Sequence, residues 1–108
     1  MCTTAKGDCV HLVVDGRIVI KALGPTEVAV AGEIDAATAP RLRAELVDSR
    51  VSTVECSGVT YFSGAGLRAL LDAASRQPDG RLRLSSPSIA VCRLIEVCEQ
   101  TAAFLIER

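Results

Sequence analysis

Three small residues, Ser63, Gly64 and Gly66, stand where a short predicted strand turns into a predicted helix. The first backbone N–H groups of a helix have no partner within the helix, and the helix dipole places partial positive charge at the same end. Small side chains leave those groups accessible, so this turn could hold a phosphate, an acidic partner or a phosphorylated side chain. The segment from Val54 to Leu67 is therefore the most informative part of the chain.

A dinucleotide is the first ligand to consider, because the segment Gly64-Ala-Gly66-Leu-Arg-Ala69 matches the G-x-G-x-x-G/A pattern. That fingerprint requires the first glycine directly after its strand, whereas the sequence predicts a strand that ends near Cys56. No acidic residue closes the next predicted strand, where the ribose ligand would stand. No cofactor is therefore expected.

Hydrolysis by a serine nucleophile is the second chemistry to consider. A nucleophile elbow needs glycine two positions before the serine, and Tyr61 stands two positions before Ser63. His11 is the only imidazole, and no acid is evidently placed to orient it. Glu33 and Asp35 form a carboxylate pair after a predicted strand, for which a solvated loop or a helix cap is expected rather than acid–base catalysis. The sequence predicts no catalytic residue.

Two interpretations of the turn stay open. In the first, the exposed start of the helix is a docking surface for another protein, because its small residues leave the backbone accessible. In the second, Ser63 only caps the helix and the glycines only permit a tight turn. An enzyme that uses Ser63 or a cysteine is a further alternative.

Composition limits the remaining classes. The chain has 108 residues, enough for one domain, and its 49% apolar and 23% charged residues indicate a globular protein. A net charge of −1 without a basic cluster gives no reason to expect nucleic acid. No apolar run is long enough for a membrane span and no signal peptide is apparent, so a cytoplasmic protein is expected that binds no membrane.

The chain contains five cysteines, and this odd number without a secretion signal argues against a disulfide framework. Cys9 and His11 could form half of a metal site, but no second pair has ligand spacing, so no metal is expected. Cys98 continues an apolar helical stripe and is predicted to be buried. A redox role for Cys92 or Cys2 stays open.

Hydrophobic periodicity predicts strands over residues 9–14, 17–22, 27–31, 51–56 and 81–85, and a last strand or tail over residues 103–107. Asp15-Gly16 predicts a hairpin turn of type I′. Helices are predicted after Thr38 and after Ser63, and a third begins at Pro87 with Ser86 as its N-cap. Strands that alternate with helices after an antiparallel start predict a mixed α/β sheet with helices packed over it.

Three blocks of the sequence resemble the STAS family, which includes sulphate-transporter cytoplasmic domains and anti-sigma-factor antagonists. Residues 31–43, AGEIDAATAPRLR, resemble the family's entry to its first helix. Residues 57–67, SGVTYFSGAGL, are similar to the signature S-G-V-x-x-[IM]-D-S-[ST]-G-L. Residues 86–95, SPSIAVCRLI, resemble the block that opens the last major helix.

This resemblance implies a mixed sheet of four to five strands with three main helices packed mostly on one side, and no enzymatic activity. Residues 1–108 are expected to form a single STAS-like domain, with residues 1–8 as a flexible N-terminus. The soluble bacterial members regulate transcription by binding an anti-sigma factor with a histidine-kinase-like ATPase fold, which frees the sigma factor. That kinase phosphorylates the first serine after the signature aspartate and so breaks the complex.

The chain departs from the signature at this switch. Ser63 stands where the family has aspartate, Gly64 where it has the phosphorylated serine, and Ala65 where it has the next serine or threonine. Glycine cannot accept phosphate, so the resemblance implies an antagonist without the usual switch, unless Ser63 has become the phosphoacceptor. The alternative is an interaction module of another multi-protein or transport-associated complex. The predicted partner-binding residues are Asp35, Thr60, Tyr61, Ser63, Gly64, Ala65 and Gly66.

Overall fold

The computed structural model describes the backbone of residues 2–5, 8–48 and 51–107, and the side chains of residues 12–47 and 51–107. Its strands are β1 (Cys2–Ala5), β2 (Asp8–Asp15), β3 (Ile18–Ala22), β4 (Glu27–Ile34), β5 (Thr53–Phe62), β6 (Leu82–Ser85) and β7 (Phe104–Glu107). Its α-helices are α1 (Ala39–Asp48), α2 (Gly64–Ser75) and α3 (Ile89–Val97), and a 3₁₀ turn spans Thr101–Ala103. None of the helices in these described ranges is long and apolar enough to cross a membrane.

The described strands form one sheet in which spatial order follows chain order from β1 to β7. Strands β1 to β4 are antiparallel neighbours, whereas β4 to β7 are parallel and are joined through helices. Each parallel connection steps to the next strand in the same direction. Because such crossovers are right-handed, all three helices lie on one side of the sheet, where α1 contacts α2 and α2 contacts α3.

The predicted α/β class with three helices on one side is confirmed, but the predicted number of four to five strands is too low. Residues 103–107, left open as strand or tail, contribute β7, which pairs with β6. β1 pairs with the first half of β2 and lies within residues 1–8. The single domain over residues 1–108 and the flexible N-terminus over residues 1–8 stay predictions.

Two boundaries differ from the sequence prediction. The hairpin between β2 and β3 is present, but its two loop residues are Gly16 and Arg17, and only Gly16 has a positive φ, +62°. The type I′ turn is therefore wrong, since it needs positive φ at both loop residues. The N-cap of α3 is Ser88, whose hydroxyl accepts a hydrogen bond from Val91 N–H at 3.3 Å, and not Ser86.

β5 extends further along the chain than predicted. Two β-bulges interrupt its alternation of buried and exposed residues, so the pattern after Cys56 does not look like a strand. Its register against β4 shifts between Ala29 and Ala31 and again between Gly32 and Glu33. Gly32 is required at the second shift, because it has a φ of +102° and a Cβ there would lie 1.9 Å from the carbonyl oxygen of Arg17. The bulges carry β5 to Phe62, six residues beyond the predicted end at Cys56.

The core lies between the sheet and the three helices. Alternate residues of the strands point into it, and each helix contributes its apolar stripe. Its largest fully buried side chains are Ile18, Ile20, Val30, Ile34, Leu42, Val51, Val54, Leu70, Leu82, Leu84, Val91 and Ile95. The apolar stripes of α1 and α2 are buried in this core, and these helices are held by burial of apolar surface.

Leu70 and Leu71 should differ in their contribution to stability, although their sequence positions look equivalent. Leu70 is 2% exposed, whereas Leu71 is only partly buried against the core. We expect Leu70→Ala to lower the free energy of unfolding by about 2–5 kcal/mol, because it leaves a cavity. Leu71→Ala should cost less than about 2 kcal/mol. Urea denaturation measures both, and equal losses would contradict this packing.

Candidate functional site

Two turns meet at the edge of the sheet where β4 and β5 end. The backbone N–H of Ser63, after β5, donates to the carbonyl oxygen of Ile34, the last residue of β4, at 2.9 Å. Because β4 and β5 are parallel neighbours, the starts of α1 and α2 lie side by side at this edge. The structure thus brings the Asp35 turn and the Ser63 turn together.

Asp35 organises the turn into α1. Its Oδ1 accepts hydrogen bonds from Ala37 N–H at 2.9 Å and Thr38 N–H at 3.0 Å, and its Oδ2 lies 2.7 Å from the Arg17 guanidinium. The Thr38 hydroxyl accepts from Asp35 N–H and donates to the Glu33 carbonyl oxygen. The hydrogen bond from Thr38 N–H holds the pKa of Asp35 below its usual value, burial opposes it, and the hydrogen bond from Ala37 N–H and the charge of Arg17 lower the pKa further.

Asp35 therefore caps the turn that leads into α1, and its two carboxylate oxygens bond to this turn and to Arg17. Glu33 joins the same cluster, since its carboxylate lies 3.2 Å from Arg17. Thr38 does precede α1 as predicted, but its hydroxyl bonds back toward β4 and not to the helix. The main role of Asp35 is thus to fix the shape of this turn.

Ser63 and Gly64 form the exposed start of α2. The Ser63 backbone is extended, and its hydroxyl accepts a hydrogen bond from Gly66 N–H at a long 3.4 Å. This confirms the predicted capping role and indicates that the cap is weak. Gly64 is exposed, and a Cβ added to it would meet no atom within 4 Å. The Gly64 position is therefore sterically open.

Gly66 and Ala65 differ from Gly64 in their surroundings. Gly66 is buried, and a Cβ there would lie 2.6 Å from Ile34 Cγ2 and 2.9 Å from the Phe62 ring. Gly66 therefore lets α2 approach β4 and β5 closely, and it is not on the accessible surface. Ala65 is half-buried and packs against the core at the margin of the turn.

Thr60 and Tyr61 lie apart from the other predicted partner-binding residues. Phe62 points into the core, so its neighbour Tyr61 points to the opposite face of the sheet, where its side chain is 53% exposed. Thr60 is exposed at the second bulge, and its hydroxyl donates to the Gly32 carbonyl oxygen at 3.3 Å. The structure therefore does not bring these two residues onto the helix side with Ser63 and Gly64.

A groove between α1 and α2 adjoins the Ser63 turn, and sequence reasoning missed it. Its volume is about 450 Å³, and it is lined by Ala36, Ala39, Pro40, Arg43, Ala65, Arg68, Ala69 and Asp72. The Arg43 Nε lies 3.1 Å from Asp72 Oδ2 and joins the two helices across the groove. This hydrogen bond with Arg43 is the main reason why the pKa of Asp72 lies below its usual value.

In the sequence, the alanines of the groove have no functional groups that indicate a site. The spacing of Arg68 and Asp72 indicates only the polar face of a helix. Their grouping depends on the contact between α1 and α2, which residue spacing within one helix does not reveal. Arg68 is exposed and makes no ion pair with another described residue. Its guanidinium therefore lines the groove without an ion-pair partner among the described residues.

Cys56, Cys92 and Cys98 are free thiols. The redox role of Cys92 stays a prediction, and the side chain of Cys2 lies outside the described residues. Burial raises the pKa of Cys56 to about 12, so its thiol stays protonated. Cys98 is exposed and not buried as predicted, because α3 ends at Val97 and Cys98 leaves the apolar stripe. Cys9 and His11 lie outside the described side chains, and the described residues contain no cluster able to hold a metal ion.

The sequence predicts that the strand ends too early for a dinucleotide site, and this prediction is wrong. β5 ends at Phe62, and only Ser63 separates it from Gly64. The other two requirements of the fingerprint still separate this turn from such a site. β6 ends at Ser85 without an acidic residue, and all helices lie on one side of the sheet, so it is not doubly wound. The glycine pattern here serves packing at Gly66 and exposure at Gly64.

The two glycines of α2 should respond oppositely to the same substitution. Gly66→Ala should lower the free energy of unfolding by about 1–3 kcal/mol, because the new methyl group collides with Ile34 and Phe62. Gly64→Ala should leave it unchanged or raise it by about 0.4–1 kcal/mol, because the methyl group meets open space and restricts the unfolded chain. Urea denaturation decides, and a destabilised Gly64→Ala protein would contradict the open position.

The charge of Asp35 should stabilise the protein only above acidic pH. Since folding lowers its pKa, the ionised carboxylate contributes stability above its unfolded value of about 3.9, and this contribution is lost as pH falls through the lower folded value. Asp35→Asn keeps an acceptor and removes the charge. It should therefore be less stable than the parent at pH 7, with the difference shrinking below about pH 4. Urea midpoints at several pH values test this, and a pH-independent difference would contradict it.

Comparison with known proteins assigns this architecture to a family. A family model described as "Mlab, STAS domain" matches residues 19–105. The fold is similar to that of the anti-sigma factor antagonist SpoIIAA in its unphosphorylated form, with a TM-score of 0.59, 14% identity, and coverage of 82% of this chain and 86% of the other. It is also similar to that of the Bacillus cell fate determinant SpoIIAA in the phosphorylated form, with a TM-score of 0.54, 13% identity, and coverage of 82% and 89%.

No curated protein gives a significant sequence match to the chain. At 13–14% identity the likeness to the two SpoIIAA structures concerns the fold. The family model, by contrast, covers most of the sequence, from within β3 to within β7, and includes both turns of the candidate site. The chain therefore belongs to the STAS domain family.

Proposed function

We propose that the chain is a non-enzymatic regulatory protein that binds a protein partner through the surface formed by Ser63, Gly64 and the adjoining groove between α1 and α2. The observation that carries this proposal is the open space around Gly64 at the exposed start of α2. An accessible helix start beside an apolar groove suits protein docking better than catalysis, because no oriented nucleophile among the described residues faces it.

The proposed partner is an anti-sigma factor with a histidine-kinase-like ATPase fold, which makes the chain an anti-sigma factor antagonist in the cytoplasm of a bacterium. Two observations support this choice. The chain belongs to the STAS family, and its fold resembles that of a protein described as an anti-sigma factor antagonist. The segment that resembles the family signature also forms the exposed turn between β5 and α2.

We further propose that the antagonist lacks the usual phosphorylation switch. Gly64 stands at the position of the phosphorylated serine and carries no hydroxyl. The neighbouring Ser63 is half-buried and its hydroxyl is directed back toward Gly66 N–H, away from the position that Gly64 presents. A kinase aligned with the Gly64 position would therefore meet the Ser63 hydroxyl poorly, and Ser63 acts as a cap and not as the phosphoacceptor.

Binding to the kinase-type anti-sigma factors encoded in the same genome, with and without ATP, tests this function by isothermal titration calorimetry. We expect a complex with at least one of them that ATP does not weaken. Failure to bind any of them would reject the antagonist and favour an interaction module of another complex. Loss of binding with ATP, together with phosphate on Ser63, would reject the insensitivity to phosphorylation.

A pair of arginine substitutions tests the binding surface. Gly64→Arg should weaken the complex by at least about tenfold, or about 1.4 kcal/mol, because a long side chain fills the open position. Gly24→Arg is the matched control. Gly24 is equally open but lies in the turn before β4, at the opposite edge of the sheet. Equal effects of the two substitutions would place the partner elsewhere.

A further inference from the structure

The sheet face that points away from the helices is uncovered and partly apolar. Parallel sheets are normally covered on both faces, and here one face of the parallel part is open. On the antiparallel side of this face, Val14 is 65% exposed, Leu12 48% and Val19 37%. These side chains lie on adjacent strands, and together they form a continuous apolar area and not scattered single residues.

The strand registers arrange the open face into two neighbouring rows that cross β2 to β5. The upper row contains Val14, Val19, Ala31 and Gly58 in order across the four strands. The lower row contains Leu12, Lys21, Ala29 and Glu55 in the same order. In each row β4 contributes an alanine. In the upper row this alanine separates the large Val19 from Gly58, which has no side chain. In the lower row it separates the positively charged Lys21 from the negatively charged Glu55.

The residues on the β3 side of β4 are complementary in size and charge to those on the β5 side. A twofold axis that runs along β4, between two copies packed face to face, places β3 of one copy opposite β5 of the other. Lys21 then faces Glu55 of the second copy, and the symmetry repeats the pair. Val19 likewise faces Gly58 of the second copy, where the missing side chain leaves room for it.

Neither Lys21 nor Glu55 has an ion-pair partner among the described residues. Lys21 and Glu55 are separated by Ala29, which puts them two strand spacings or roughly 10 Å apart. The Glu55 carboxylate only accepts a hydrogen bond from Ser57 N–H at 3.3 Å, which keeps it beside the open face.

We propose that the open sheet face is the interface of a homodimer, in which two copies pack their sheets together with Lys21 of each opposite Glu55 of the other. Two twisted sheets that pack face to face keep their strands nearly aligned, which is the geometry that this axis requires. The apolar rows supply buried surface, and the two ion pairs fix the register. This surface lies on the opposite side of the sheet from the proposed partner-binding groove.

Charge reversal tests the dimer by sedimentation velocity over a micromolar to millimolar concentration range. We expect a dimer that forms and dissociates reversibly within this range. Lys21→Glu and Glu55→Lys should each raise the dissociation constant at least about tenfold, because each creates two repulsive pairs. The double variant should return it to within about threefold of the parent value.

Arg93→Glu is the matched control, because Arg93 is exposed on α3 and the substitution changes the charge equally on the other layer. It should leave the dissociation constant unchanged. A protein that stays monomeric throughout the range would overturn the proposal. A double variant that dissociates as readily as the single variants would also overturn the proposal, because it would show that Lys21 does not pair with Glu55 of the second copy. Neither result bears on partner binding at Gly64.

Discussion

The parallel pairing of β4 with β5 is the constraint on which the rest of the structure depends. It requires a crossover helix, and the handedness of that crossover places α1, and then α2 and α3, on one side of the sheet. It also brings the carboxyl ends of the two strands together, where Ser63 N–H bonds to the Ile34 carbonyl oxygen. The helix starts that form the candidate site and the uncovered opposite face are thus two consequences of one pairing.

Most of the fold could be predicted from the sequence because most elements have regular hydrophobic periods. β5 is the exception, since its buried residues after Cys56 are Val59 and Phe62, at intervals of three and not two. The two bulges cause this spacing, and a bulge depends on the partner strand, here on Gly32 and Ala31 of β4. The distance from the end of β5 to Gly64 is therefore also mispredicted, since the strand ends at Phe62 and not at Cys56.

The candidate site was predictable where its chemistry is local and not where it depends on packing between elements. A small polar residue before a helix indicates a cap. Ser63 caps α2 in this way, and Asp35 caps the turn that leads into α1. Gly64 and Gly66 look alike in the sequence, yet only the position of Ile34 and Phe62 makes one of them a packing residue. The Arg43–Asp72 pair joins residues 29 positions apart, so no local pattern could have revealed it.

The two surfaces can be occupied together, because they lie on opposite sides of the sheet. A twofold axis parallel to β4 preserves strand direction, so the carboxyl ends of β4 and β5 from both copies would lie at the same end of the dimer. The two Gly64 turns would then face the same way, with the helices on the outside. A dimeric partner could contact both turns at once, and the second contact would form at the high effective concentration set by the first. Weak self-association through the open face would in this way strengthen binding at the helix side without any additional contact there.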